Sequence, residues 1–251
     1  SRFDEFFEMR PATTREEFCR IAGLDPARPI ITYLGSSKFV AAAEQDFVTR
    51  WISELPRSTD PALAGCSLLV RPHPAGEKGW HAEHSIDHRW PNVGEKATVS
   101  RPFGDERAIV MNSPMQNADV VLYDTVFHSP AIVGLNTSAE IEAAIVGRPV
   151  FTIVDSNARG QEGTLHFHYL LRANGGHVEL AGDFDEHRLQ LAAALAGRDD
   201  RTRIEIFVRR FVRPHGLDVP VAPIVADAIE ALAVTHEPQL DNRRPALTSE
   251  R

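Results

Sequence analysis

Ala131 to Val154, AIVGLNTSAEIEAAIVGRPVFTIV, constrains the fold more than any other stretch of the chain. Ala131 to Leu135 is a short apolar run of strand type. Asn136-Thr137-Ser138 is a polar turn. From Ser138 to Val146 the apolar positions take helical spacing, with Ile141, Ala144 and Ile145 on one side. Gly147 stops the helix, Arg148-Pro149 turns the chain, and Val150 to Val154 is a second β-branched run. Strand, helix, strand in this order is a right-handed parallel crossover, which requires a parallel sheet covered by helices. Its turn lies at the carboxyl end of a strand and the amino end of a helix, where open parallel sheets bind anionic ligands. Thr137 and Ser138 offer hydroxyls there, and Glu140 and Glu142 offer carboxylates to sugar hydroxyls. The chemistry expected is that of a nucleotide, although Asn, Thr and Ser are equally good helix caps.

The same pattern recurs upstream. Ile30 to Leu34 is expected to be a strand, followed by the polar turn Gly35-Ser36-Ser37-Lys38 and a helix striped by Phe47, Val48, Trp51, Ile52 and Leu55. Gly35 lets backbone approach a ligand, Ser36 and Ser37 donate, and Lys38 can neutralise a phosphate. Neither the P-loop nor the G-x-G-x-x-G spacing is present. Ser67 to Val70 is a third strand, ending in Arg71-Pro72-His73-Pro74. The two prolines hold the backbone extended and fix His73 at the mouth of the sheet, in position to contact a phosphate or protonate a leaving group. Further on, Asp105 to Val110 reads as a strand, Asp119 to Ser129 as a helix and His177 to Leu180 as a last strand. The whole is an α/β fold, a Rossmann-like parallel sheet with helices on both faces.

Other segments carry less chemistry. His81, His84 and His88 stand at helical spacing with Glu83 and Asp87 between them, but match no zinc motif, so no metal site is expected. Ala75 to Arg101 reads as a solvated polar segment. Asp183-Phe184-Asp185-Glu186 is expected to be a helix capping box rather than a metal-binding D-x-D. Thr164 and His166, after a Gly-rich loop, suit a mobile segment over a donor or acceptor site. Residues 1–28, with Phe3, Phe6 and Phe7, read as a lead-in that packs on another domain. Residues 29–200 read as the nucleotide-binding domain, 201–238 as helices packing on it, with an arginine face of Arg203, Arg209, Arg210 and Arg213, and 239–251 as a flexible tail. The net charge of −8 argues against a general nucleic-acid surface. Two cysteines far apart, Cys19 and Cys66, with no signal peptide and no transmembrane run, point to a reducing, cytoplasmic setting.

Taken together, three strand-end turns resemble the C-terminal, nucleotide-sugar-binding half of a GT-B glycosyltransferase. The resemblance is to the bacterial capsule and surface-polysaccharide group that includes the polysialyltransferases and the CDP-glycerol glycerophosphotransferases of teichoic acid. The matching residues are His73-Pro74, Thr137-Ser138, Glu142-Ala143-Ala144 and Gly147-Arg148-Pro149-Val150, and the resemblance spans roughly Ile30 to Leu195. It implies that His73 contacts the phosphates or aids the leaving group. Thr137 and Ser138, with Gly35, Ser36, Ser37, Arg71 and Asn136, would bind nucleotide or phosphate, and Glu142 the ribose. It further implies a nucleotide-activated sugar as donor, metal-independent transfer, no cofactor and no nucleic-acid partner. Peripheral membrane association of the full protein is also implied. The N-terminal GT-B half, which supplies the acceptor site and base, is not evident here, so the chain is expected to be part of the active enzyme. A sugar-nucleotide epimerase of the UDP-N-acetylglucosamine 2-epimerase type shares the fold, but its Gly-Gly turn is absent. A non-catalytic interaction module is the third reading.

Overall fold

In the computed structural model, residues 3–37, 39–41, 43–73, 86–90, 96–112, 118–155 and 165–235 are described. The strands are β1 (Ile30–Leu34), β2 (Ser67–Arg71), β3 (Ile86–Arg89), β4 (Lys96–Ser100), β5 (Ala108–Asn112), β6 (Ala131–Gly134), β7 (Val150–Ile153) and β8 (Val178–Ala181). They form one sheet in the order β3-β4-β5-β2-β1-β6-β7-β8. The run from β5 to β8 is parallel, and β3 and β4 add an antiparallel edge. The helices are α1 (Asp4–Glu8), α2 (Arg15–Ala22), α3 (Glu44–Glu54), α4 (Pro61–Ala64), α5 (Ala118–Phe127), α6 (Ala139–Ile145), α7 (Leu165–Leu170), α8 (Phe184–Leu195), α9 (Arg201–Phe207) and α10 (Val221–Thr235).

All five residues of β1 are buried, as befits the centre of a sheet covered on both sides. Its side chains alternate between layers. Ile31 and Tyr33 join Trp51 of α3 and Leu191 of α8 on one face. On the other face Leu34 joins Leu122 of α5 and Ile141 of α6, while Ile30 meets Phe18 of α2. Thr32 also points to that second face, where its hydroxyl pairs with that of Ser129 at 2.7 Å. β1 has β2 on one side and β6 on the other, so the strand order reverses direction there. Open α/β sheets have their ligand crevice at the carboxyl end of such a switch point.

Several segments differ from the sequence expectation. The 1–28 segment, expected as a lead-in, buries Phe6, Phe18, Cys19 and Ile21 in the core. Within it α2 has a defined start and stop: Thr14 and Glu17 form a capping box, and Gly23 closes the helix at φ +68°. Its buried face covers β3–β5, an edge that the sequence did not reveal. Residues 75–101 contain β3 and β4 rather than only solvated chain. Both strands are only four or five residues long and largely polar, so the period-2 signal is weak. The helix after Gly35 begins only at Glu44. Arg213, expected on a solvated or inter-domain arginine face, is 3% exposed and pairs with Asp4 at 3.2 Å. Asp4 also accepts from the backbone of Val221 and Ala222, so α1 holds the start of α10. At Asp183 the cap is one-sided. The Asp183 side chain accepts from Glu186 N–H, but the Glu186 carboxylate takes Gly182 N–H. Cys19 and Cys66 are free thiols, and among the described residues no helix is long and apolar enough to cross a membrane.

Asp124, fully buried, ties two distant segments to α5. It accepts from Ala12 N–H at 2.8 Å, Thr13 Oγ1 at 2.7 Å and Trp90 Nε1 at 3.1 Å. Removing the carboxyl strands these buried donors, at a cost of about 1–3 kcal/mol for each left unsatisfied. Asp124→Ala is expected to lower unfolding stability by about 3 kcal/mol or more in urea titration. A loss within the range of an ordinary surface substitution would show that Asp124 does not tie these segments together.

Candidate functional site

The tips of β1, β2 and β6 meet around a cleft of about 160 Å³ at the switch point. Gly35 stands at the end of β1, Arg71, Pro72 and His73 at the end of β2, and Thr137, Ser138 and Glu142 after β6. These groups are far apart in sequence, and the topology alone brings them together. Ala118, Asp119 and Leu122 of α5 complete the wall.

The β1 and β2 tips touch backbone to backbone. Gly35 N–H donates to Arg71 C=O at 2.8 Å. A Cβ on Gly35 would lie 2.7 Å from His73 N and 3.0 Å from Pro72 Cα, so only glycine permits this approach. Arg71 is 7% exposed; its guanidinium donates to Thr125 Oγ1 at 3.3 Å and Ala118 C=O at 3.0 Å. It thereby fixes the start of α5 and the position of Asp119. His73 is half-buried and lines the cleft.

On the β6 side, Ser138 occupies the cap position of α6 but its side chain makes no capping bond. Ser138 lines the cleft, which the capping explanation does not require. The first backbone donors of this seven-residue helix are largely taken. Ala139 N–H goes to Thr137 Oγ1, Glu140 N–H to Thr137 C=O and Ile141 N–H to Ser138 C=O. The end of this helix therefore offers few free backbone donors to the cleft. The two carboxylates of α6 part company. Glu142 lines the cleft, whereas Glu140 turns back under the loop and accepts from Thr137 N–H at 3.2 Å. A Cβ on Gly134 would meet that carboxylate at 2.7 Å.

Ser36, Ser37 and Asn136 do not line the cleft. Ser36 and Asn136 are buried beside it, and Ser36 N–H donates to Glu44 Oε1 at 2.7 Å. Tyr33 OH donates to the same oxygen at 2.9 Å. Glu44 thus braces the β1 turn from below, and burial pushes its carboxyl up to about 7. Lys38, Thr164, His81 and His84 lie outside the described residues, as do the side chains of His88 and His166. Among the described residues no cluster of three or more His, Cys, Asp or Glu is placed to hold a metal ion. Sequence reasoning missed Asp119, Glu44 and the supporting place of Glu140. Asp119 sits in a helix first turn, where an acid is commonplace, and carries no other signal.

No protein-family model matches the sequence, and no curated protein does. Solved structures do. A single-residue variant of the wall teichoic acid polymerase TagF is similar at TM-score 0.50, with 14% identity over 93% of this chain and 52% of that one. WaaG, a glycosyltransferase involved in lipopolysaccharide biosynthesis, is similar at TM-score 0.49 and 17% identity, over 91% of this chain and 54% of that one. A structure bearing on EarP-mediated arginine glycosylation of elongation factor EF-P gives TM-score 0.46 and 15% identity, over 92% of this chain and 69% of that one. At such identity the TagF likeness bears on the fold alone: a mostly parallel, Rossmann-like sheet of the GT-B type. The chain spans about half the length of the TagF and WaaG structures.

The buried acids give the site a pH signature. Burial pushes Glu140 from its ordinary 4.5 up to about 8. Between those values the folded chain keeps a proton that the unfolded chain has lost, so this residue's contribution to stability falls as pH rises and is level above about 8. Glu140→Gln keeps the shape and the acceptor without the titration. Urea unfolding at successive pH values should show a shallower decline from pH 5 to 8 in the variant than in the parent chain. Parallel curves would show that Glu140 is not held protonated.

Proposed function

We propose that this chain is the donor-binding half of a metal-independent glycosyltransferase. It would hold a nucleotide-activated sugar or sugar-phosphate donor in bacterial polysaccharide biosynthesis. The observation that carries the reading is the convergence of the β1, β2 and β6 tips on one cleft at the switch point of the sheet. In this reading Ser138 and Thr137 take the phosphates by hydroxyl hydrogen bonds, and Glu142 accepts from the ribose hydroxyls. His73, across the cleft, donates to the diphosphate and helps the nucleotide leave as the sugar–oxygen bond breaks. Gly35 keeps the floor open. Buried Glu44 and Glu140 hold the two turns, and burial raises both carboxyls, to about 7 and about 8, which reduces the negative charge beneath a diphosphate.

The acceptor and the catalytic base would come from an N-terminal GT-B-like domain. Two observations favour such a partner. TagF and WaaG are about twice as long as the stretch matched here. And α10 leaves Val225, Ile229 and Leu232 exposed, apolar surface that a neighbouring domain would cover.

Thermal unfolding against UDP, CDP, CMP, GDP and ADP tests the reading. A ligand at a hundred times its dissociation constant stabilises by about 2.7 kcal/mol. For a chain of this size that is a rise in Tm of roughly 5–10 °C. One nucleotide should give that rise, in EDTA as well as without it, and Glu142→Gln should abolish it. A flat panel at millimolar nucleotide would overturn the donor-half reading in favour of a non-catalytic interaction module.

A further inference from the structure

A second cavity, of about 420 Å³, opens at the opposite end of the sheet. It lies at the amino ends of β7 and β8, where the chain passes from α8 on one face to α9 on the other. Phe151, Ala193 and Ala194 supply apolar wall. His177 lines it at 3% exposure, packed on the Phe207 ring with centroids 4.4 Å apart, and neither ring nitrogen has a hydrogen-bond partner. Gln190 Oε1, on the α8 wall, is also buried and unpartnered. Gln190 Nε2 donates to Leu180 C=O at 3.4 Å, so the unpartnered groups beside this cavity are the whole His177 ring and one amide oxygen, and leaving them so is costly unless something occupies it.

Burial holds the His177 imidazole down to about 3, so the ring is neutral near physiological pH. It then offers one N–H donor and one lone pair, and Gln190 adds an acceptor. A hydroxyl group, both donor and acceptor, complements that set. At the mouth, Arg172 pairs with Glu179 and Arg203 with Asp200. Arg198 is exposed and has no side-chain hydrogen bond or ion pair among the described residues.

We propose that this cavity is a second ligand site, taking a monosaccharide that carries one anionic group. The sugar hydroxyls meet His177 and Gln190 at depth, Phe151 and the alanines pack against its apolar edge, and Arg198 pairs with the phosphate or carboxylate at the mouth. This site is separated from the cleft by the length of the strands, and the inference does not depend on what the cleft binds.

Isothermal titration of the chain with a hexose 6-phosphate, N-acetylneuraminic acid, the neutral hexose and inorganic phosphate tests it. The first two arms distinguish a phosphate from a carboxylate as the anionic group. At least one anionic sugar should bind, more tightly than either the neutral hexose or phosphate alone. Arg198→Ala should weaken that binding about tenfold or more. His177→Leu should abolish it while leaving the chain at least as stable in urea, because an unpaired polar group is removed. Absence of binding at millimolar sugar would overturn the proposal. So would phosphate binding as tightly as the sugar, or unchanged affinity in both variants.

Discussion

The cleft depends on a contact between two turns that have no side chain between them. Gly35 N–H reaches Arg71 C=O at 2.8 Å, and the space a Cβ would need is already filled by the backbone of Pro72 and His73. This closeness draws the β2 tip, with His73, over the end of β1. It also places Arg71 where its guanidinium can hold Ala118 and Thr125 of α5. The wall formed by Ala118, Asp119 and Leu122 follows from that. A single missing side chain thus governs the relation of three elements.

Beneath the cleft the support is a pair of acids whose charge burial suppresses, Glu140 more than Glu44. Glu44 receives Tyr33 and Ser36, Glu140 receives Thr137, and burial raises both carboxyls toward or above neutral pH. Charged, they would repel a phosphate from below and suffer the full desolvation penalty. Protonated, they still accept the loop N–H groups and hold the turns in place. Farther out, Asp124 gathers Ala12, Thr13 and Trp90, so the first segment of the chain and the antiparallel edge share one buried anchor in the helix that also walls the cleft.

What the sequence revealed, and what it did not, follows from local versus distant causes. The β6–α6–β7 unit was legible because its apolar runs, its polar turn and Gly147 are contiguous. The order of the sheet was not, yet that order is what brings His73 beside Ser138. α2 carries helix-end signals in Thr14, Glu17 and Gly23, but nothing local marks it as core, because the strands it covers were themselves unread. β3, at the edge, and β4, next to it, are short strands rich in charged and polar residues, which resemble solvated chain. Glu44, Glu140 and Arg213 look like surface in any composition-based reading. Their burial depends on Tyr33 and Ser36, on Thr137, and on Asp4, partners that only the packed structure supplies.

The most direct test of the central claim is where a nucleoside diphosphate sits. Amide chemical shifts followed while the donor nucleotide is titrated would show it without any variant. The account predicts that the largest changes fall on His73, Thr137, Ser138 and the β1 tip at Gly35, with β8 and the α8–α9 connection unmoved. Changes centred away from the β1, β2 and β6 tips, with those residues silent, would contradict it.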